Sequence, residues 1–199
     1  AAGNFSARKN VMKLNNKYYI LRHGEAVSNL KGIVSSWPEK FKNPLTQKGR
    51  EQIKEAAKKL KAKHIDLIFS SDLLRTKQTA QMVGKALKIK PKFDKRLREV
   101  GFGMVNGRPA EELLYLSFEK DRLRHSFKRS ETYESVLKRV ANFLKDIETK
   151  CKGKNILIIS HQCPLWILEN DVKGFSLEDG LKMNSEEKRI GKGEIRKIN

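Results

Sequence analysis

Apolar and polar positions repeat along this chain with two different periods. Three short runs, YYIL at residues 18–21, LIF at 67–69 and NILIIS at 155–160, are apolar with almost no polar alternation. Runs of that length predict strands buried on both faces, as in a covered parallel sheet. Between them the period lengthens. Ile53, Ala56, Ala57 and Leu60 recur at three- and four-residue intervals and predict a helix over residues 46–60, with the Thr46 hydroxyl as its N-cap. Thr79, Met82, Val83, Ala86 and Leu87 predict the inner face of a helix over residues 73–87, capped by Asp72. The longest stripe, Val136, Leu137, Val140, Phe143, Leu144 and Ile147, predicts a helix over residues 132–149. Shorter signals place a strand at Lys92 and Phe93, a helix over residues 111–118 behind Pro109, and an edge strand over residues 193–198.

Alternation of strands and helices predicts an α/β fold: a three-layer sandwich, with a mostly parallel central sheet and helices on both faces. Residues 17–199 are expected to form one domain, and residues 1–16 a linker or a disordered N-terminal segment. In such sheets ligands collect beyond the carboxyl ends of the strands. Three predicted strands stop there in polar groups: Arg22-His23, Ser70-Ser71-Asp72 and Ser160-His161. A strand that only needs burial has no use for a histidine at its tip, so the convergence points to a reaction centre.

Composition narrows the class. Apolar residues make up 38% of the 199 residues and charged residues 33%, a balance that suits a folded domain rather than a disordered chain. No apolar run is long enough to span a bilayer, so no membrane partner is expected; the location expected, from the cysteine usage, is the reducing cytoplasm. The two cysteines, Cys151 and Cys163, have neither metal-ligand spacing nor a disulfide framework. A cysteine phosphatase needs an arginine six positions after its nucleophile; Leu157 and Glu169 stand there instead. A formal net charge of +20 favours anionic partners, either a small phosphorylated substrate or nucleic acid, and equally fits lysines scattered over solvated faces.

The segments LRHGEAVSN, SSDLLRTKQTA, LREVGFG and IISHQ, in that order, resemble the histidine phosphatase superfamily, also called phosphoglycerate mutase-like. The resemblance implies a phosphoglycerate mutase-like fold and a phosphohistidine intermediate on His23. For that attack the imidazole must be neutral, which nearby cations favour. An acceptor such as the Gly24 carbonyl would fix its tautomer. Gly24 would also let the chain turn where a side chain would obstruct phosphate. Arg22, Arg75 and His161 are expected around the phosphate oxygens, supplying positive charge without a metal or other cofactor. Glu99 is the candidate general acid, held ionised by the arginines until a bound dianion offsets them. Asn29 and Ser35 match substrate-contacting positions of the family. Glu25, an acid beside a phosphate, is expected only to orient an arginine. Gln162 stands where the family usually has glycine after the second histidine, and is expected to contact substrate while straining or reshaping the pocket.

The stretch between Glu99 and His161 is shorter than in phosphoglycerate mutases, so the resemblance favours the phosphatase branch over mutase-type phosphoryl transfer. Within that stretch, DRLRHSFKR at residues 121–129 is a candidate pocket rim. A rival expectation comes from IVSSWPEKF and LLRTKQTA, which are similar to domains inserted in isoleucyl-tRNA synthetases of some uncultivated bacteria. On that resemblance the chain would be a catalytically weak accessory domain of a tRNA- or nucleic-acid-handling protein.

Overall fold

A computed structural model describes residues 13–112, 129–183 and 189–199. Five strands form one sheet: β1 (Lys17–Arg22), β2 (Leu67–Ser70), β3 (Lys92–Phe93), β4 (Asn155–Ser160) and β5 (Ile195–Lys197). Their order across the sheet is β3-β2-β4-β1-β5, parallel throughout except for the antiparallel edge strand β5. This is the expected mostly parallel α/β sheet. The described helices are α1 (Val27–Leu30), α2 (Gln47–Lys61), α3 (Leu74–Leu87), α4 (Tyr133–Lys150), α5 (Gln162–Val172) and α6 (Leu177–Met183). None of them is long and apolar enough to cross a membrane.

The apolar strands are explained by two separate cores, because successive side chains point to opposite faces. Tyr18 and Ile20 of β1 and Ile156 and Ile158 of β4 join Val136, Val140, Phe143 and Trp166 from α4 and α5. Tyr19, Leu21, Leu157 and Ile159 join Ile53, Leu60, Ala80 and Val83 from α2 and α3. Fully burying one such side chain contributes roughly 1.5–3 kcal/mol, which makes this alternation the main source of the layered arrangement.

Of the two expected helix N-caps, one forms and the other does not. The Thr46 hydroxyl accepts from Gly49 N–H at 3.0 Å, and Thr132 accepts from Ser135 N–H at 3.1 Å. Asp72, by contrast, does not cap α3: its carboxylate takes both prongs of Arg98 at 2.6 Å each, and Leu73 holds the cap position without a side-chain bond. A bidentate, charge-assisted pair outcompetes a single cap bond. The inner face of α3 also differs, burying Arg75, Thr76, Thr79, Ala80, Val83 and Gly84 while Ala86 is exposed. Helix α5 was not anticipated. It buries Cys163 through Glu169 without a break, so it has no polar face to generate a helical period.

Of the opening segment, residues 1–12 lie outside the described residues, but Asn15 and Asn16 belong to the folded body. Both donate to Glu148 at the end of α4, and Tyr18 Oη donates to the same carboxylate at 2.6 Å. The expected helix over residues 111–118 is described only at Glu111 and Glu112; its remainder and residues 121–128 lie outside the described residues.

Candidate active site

Strand register places the predicted residues side by side. Arg22 pairs with Ser160 across β1 and β4, and Ser70 pairs with Ile159 across β2 and β4. His23 and His161 therefore leave the sheet at one level, with Ser71 beside Ser160, one residue earlier. Backbone bonds hold that level, His23 N–H donating to Ser160 O at 3.2 Å and Ser71 N–H to Ile159 O at 3.0 Å. The two imidazoles meet edge to face with centroids 5.2 Å apart.

His23 is 2% exposed. Its Nδ1 lies 2.8 Å from the Gly24 carbonyl and so carries the proton, as expected. That leaves the Nε2 lone pair, which accepts from Arg75 Nε at 3.2 Å. Burial first, then Arg75 and Arg22, push the His23 pKa well below the ordinary histidine value, so the ring is neutral. A buried, neutral imidazole with one directed lone pair is a nucleophile.

His161 is fully buried and its pKa is likewise well depressed, first by burial and then by Arg75. It therefore adds no formal charge, contrary to the expectation that it would share in supplying one. Its Nε2 lies 2.9 Å from the Ser71 hydroxyl, which also accepts from Leu73 N–H at 3.4 Å. A hydroxyl already accepting there can give its single proton to Nε2, leaving Nδ1 as a donor. That Nδ1 is buried with no hydrogen-bond partner, and so is Arg22 Nε. Buried donors without acceptors are costly, and an anion within reach of either would relieve that cost. Arg22 is steered by Nη1 donating to Ile190 O at 3.0 Å, and Arg75 by Nη2 donating to Ser35 O at 3.1 Å. Helix α5 starts at Gln162, directly behind His161, so its N-terminal end adds a favourable field for an anion.

Glu99 stands close enough to stabilise both arginines and is 8% exposed. Its Oε1 accepts from Val100 N–H at 2.9 Å. Burial raises its pKa above the ordinary glutamate value despite that bond and the nearby Arg75, Arg22 and Arg139. The arginines oppose that rise, as expected of them, and desolvation outweighs them. Beside the Glu99 segment opens a cleft of about 460 Å³, with Trp37, Met104, Asn106 and Glu131 among its walls.

Other predicted residues fall outside this cluster or act differently. Ser35 reaches it, its hydroxyl accepting from Arg75 Nη1 at 3.3 Å and from Asn43 at 2.9 Å. Asn29 is exposed, and its Oδ1 closes the α1 turn by accepting from Ala26 N–H at 3.0 Å. Among the described residues Glu25 pairs with no arginine; it accepts from the Thr46 hydroxyl at 2.9 Å and faces Lys48 at 3.8 Å. Gln162 is half-buried, and since the described non-glycine residues with positive φ are His64, Lys88 and Arg129, it carries no left-handed strain. Gly24 has no positive φ either. A β-carbon on it would strike the Gly49 backbone oxygen, so its role is close approach of α2 rather than a sharp turn. Sequence reasoning missed Ser71, whose polar strand end was visible, and Trp37, Glu39 and Lys192, which had no local signal. Glu39 lies 3.7 Å from Arg75, and the charge of Lys192 adds to the depression of the His23 pKa.

Residues 18–192 match the family described as "Histidine phosphatase superfamily (branch 1)". The chain belongs to this superfamily. Within it, the chain is 33% identical over 149 residues to the 2,3-bisphosphoglycerate-dependent phosphoglycerate mutase of Thermoplasma acidophilum, covering 73% of this chain and 70% of that protein. It is 26% identical over 155 residues to phosphoserine phosphatase 1 of Hydrogenobacter thermophilus, covering 75% and 72% respectively. Among solved structures, the alpha-ribazole phosphatase from Shigella flexneri superposes with a TM-score of 0.76 at 26% identity, over 90% of this chain and 88% of that one. As a superfamily enzyme, this chain is a phosphatase or a mutase.

Proposed function

We propose that the protein hydrolyses small phosphomonoesters through a phosphohistidine on His23. The observation that carries this reading is the pair of buried, partnerless nitrogens, Arg22 Nε and His161 Nδ1, together with the His23 Nε2 lone pair, which is engaged by Arg75. A phosphoryl group supplies the missing acceptors. His23 Nε2 attacks phosphorus, the bond to the leaving oxygen breaks, and Arg22, Arg75 and His161 stabilise the equatorial oxygens. Glu99, whose burial favours the protonated form, gives its proton to the leaving alcohol. It then takes one from the water that attacks the phosphohistidine, which regenerates His23. Ser35 keeps Arg75 in place, and the two guanidinium charges make a metal-independent reaction sufficient.

The phosphatase named among the relatives acts on phosphoserine and the superposed one on alpha-ribazole phosphate; both suit a pocket of this kind. The similarity to a phosphoglycerate mutase supports a second reading, in which the phosphohistidine is passed to an acceptor alcohol in place of water.

Labelling with an isotopic aryl phosphate tests the chemistry. Wild type is expected to trap label on His23 and to turn over equally with chelator present. His23→Ala is expected to lose turnover by on the order of 10⁴-fold or more. Undiminished turnover in His23→Ala would sink the proposal, and loss to chelator would remove its metal-free part. A panel with and without phosphoglycerate acceptors separates hydrolysis from transfer.

A further inference from the structure

Glu99 sits on a stretch without regular structure between the 3₁₀ turns Lys95–Leu97 and Gly103–Val105. A buried carboxylate that must deliver a proton needs its backbone held, because a displacement of about 1 Å can cost roughly 100-fold. What holds it comes from α4. Arg139 Nη2 donates to the Glu99 carbonyl at 3.1 Å and Nη1 to the Arg96 carbonyl at 2.5 Å. The same guanidinium grips Glu131 at 3.0 and 3.1 Å. Glu131 in turn closes on Gly101: its Oε2 accepts from Gly101 N–H, and its own N–H donates to the Gly101 carbonyl, both at 2.7 Å. One planar fork therefore fastens the Glu99 segment at Arg96 and Glu99, and through Glu131 at Gly101. On the opposite side Trp37 Nε1 donates to the same Glu99 carbonyl at 3.0 Å.

Resting on the assignment of Glu99 as proton donor, we propose that Arg139, braced by Glu131, is a positioning residue for proton delivery to the leaving group. Both side chains are largely shielded, 15% and 19% exposed, and neither reaches the His23–His161 pair by any bond described above. Their bonds hold the backbone of the acid; the charge of Arg139 also acts on Glu99 and His161, and a lysine in its place keeps that charge. Lysine cannot replace this fork, since it has three donors on one atom where the site needs donors spread in a plane.

The test compares leaving-group release in a single turnover for two phosphomonoesters. One has an acidic phenol that departs without protonation; the other has an alkyl alcohol that requires it. Arg139→Lys is expected to slow the alkyl ester on the order of 10- to 100-fold. The activated aryl ester should slow by less than about threefold, because phosphate binding is untouched. Glu131→Gln should show the same split, and it serves as the test if Arg139→Lys does not fold. Equal losses on both esters, or none on either, would overturn the proposal. Glu99→Gln distinguishes the two levels. If it separates the esters while both clamp variants do not, Glu99 remains the acid and the clamp falls; if it does not separate them, the assignment of Glu99 itself falls.

Discussion

Glu99 binds its proton more tightly in the folded protein than in the unfolded chain, because burial dominates over the arginines around it. The sign of the linkage follows. Below the unfolded value of 4.5 the carboxyl is neutral in both states and costs nothing. As pH rises the unfolded chain ionises first, and above the folded value the full penalty of a buried charge applies. Glu99→Gln keeps an acceptor for Val100 N–H and removes that charge. It is expected to raise the melting temperature at about pH 8 and to leave it nearly unchanged at about pH 4. It should also lower kcat on an alkyl phosphate by about 10²- to 10⁴-fold. Calorimetry at the two pH values checks the first effect and steady-state kinetics the second. The residue types of this site were readable as letters, since arginine and histidine at strand tips have few structural uses. Ser71 and Trp37 were not, because a serine or a tryptophan suits many environments and only its partner gives it a role.

Helix α2 approaches the loop after β1 so closely that two glycines face each other. A β-carbon on Gly24 would meet the Gly49 backbone oxygen, and one on Gly49 would meet the Glu25 backbone. Two effects of Gly49→Ala therefore oppose each other. Alanine in a helix interior gains about 1 kcal/mol over glycine. Overpacking against backbone, which cannot swing aside as a side chain can, costs about 1–3 kcal/mol and occasionally more. The clash is expected to win, giving net destabilisation in urea unfolding where helix propensity alone predicts a gain. Elements with one wet face are legible: α2 and α4 show their periods, and α2 its threonine cap. Helix α5 is hidden because residues 163–169 are buried without a break, and the face of α3 is read in part: Thr79 and Val83 are buried and Met82 and Leu87 pack against the core, while Ala86 is exposed and a buried arginine, Arg75, belongs to the inner surface.

Two buried histidines and a large positive charge shape the response of the molecule to acid. His23 and His161 both have folded pKa values well below 6.5. Below that value the unfolded chain takes up protons that the native state refuses, so their contribution is intact above pH 6.5 and is lost as pH falls. Each histidine contributes a slope of up to about 1.4 kcal/mol per pH unit. His161→Gln is expected to make the unfolding free energy fall less steeply between about pH 6.5 and pH 5, in a series of urea titrations. An unchanged slope would mean that His161 is not buried neutral. The formal charge of +20 acts on both chains alike and cancels in that comparison.

Periodicity concerns neighbours along the chain, so the two-faced burial of the strands, the long helices, the mostly parallel sheet and the chemistry types at the strand ends could all be read without coordinates. Partnership concerns distance in space, which a linear pattern does not contain. That Asp72 serves Arg98 and not a helix end, that burial outweighs the arginines at Glu99, and that Arg139 grips the backbone of a residue on another element all depend on which groups the packed sheet and helices bring within about 3 Å of each other.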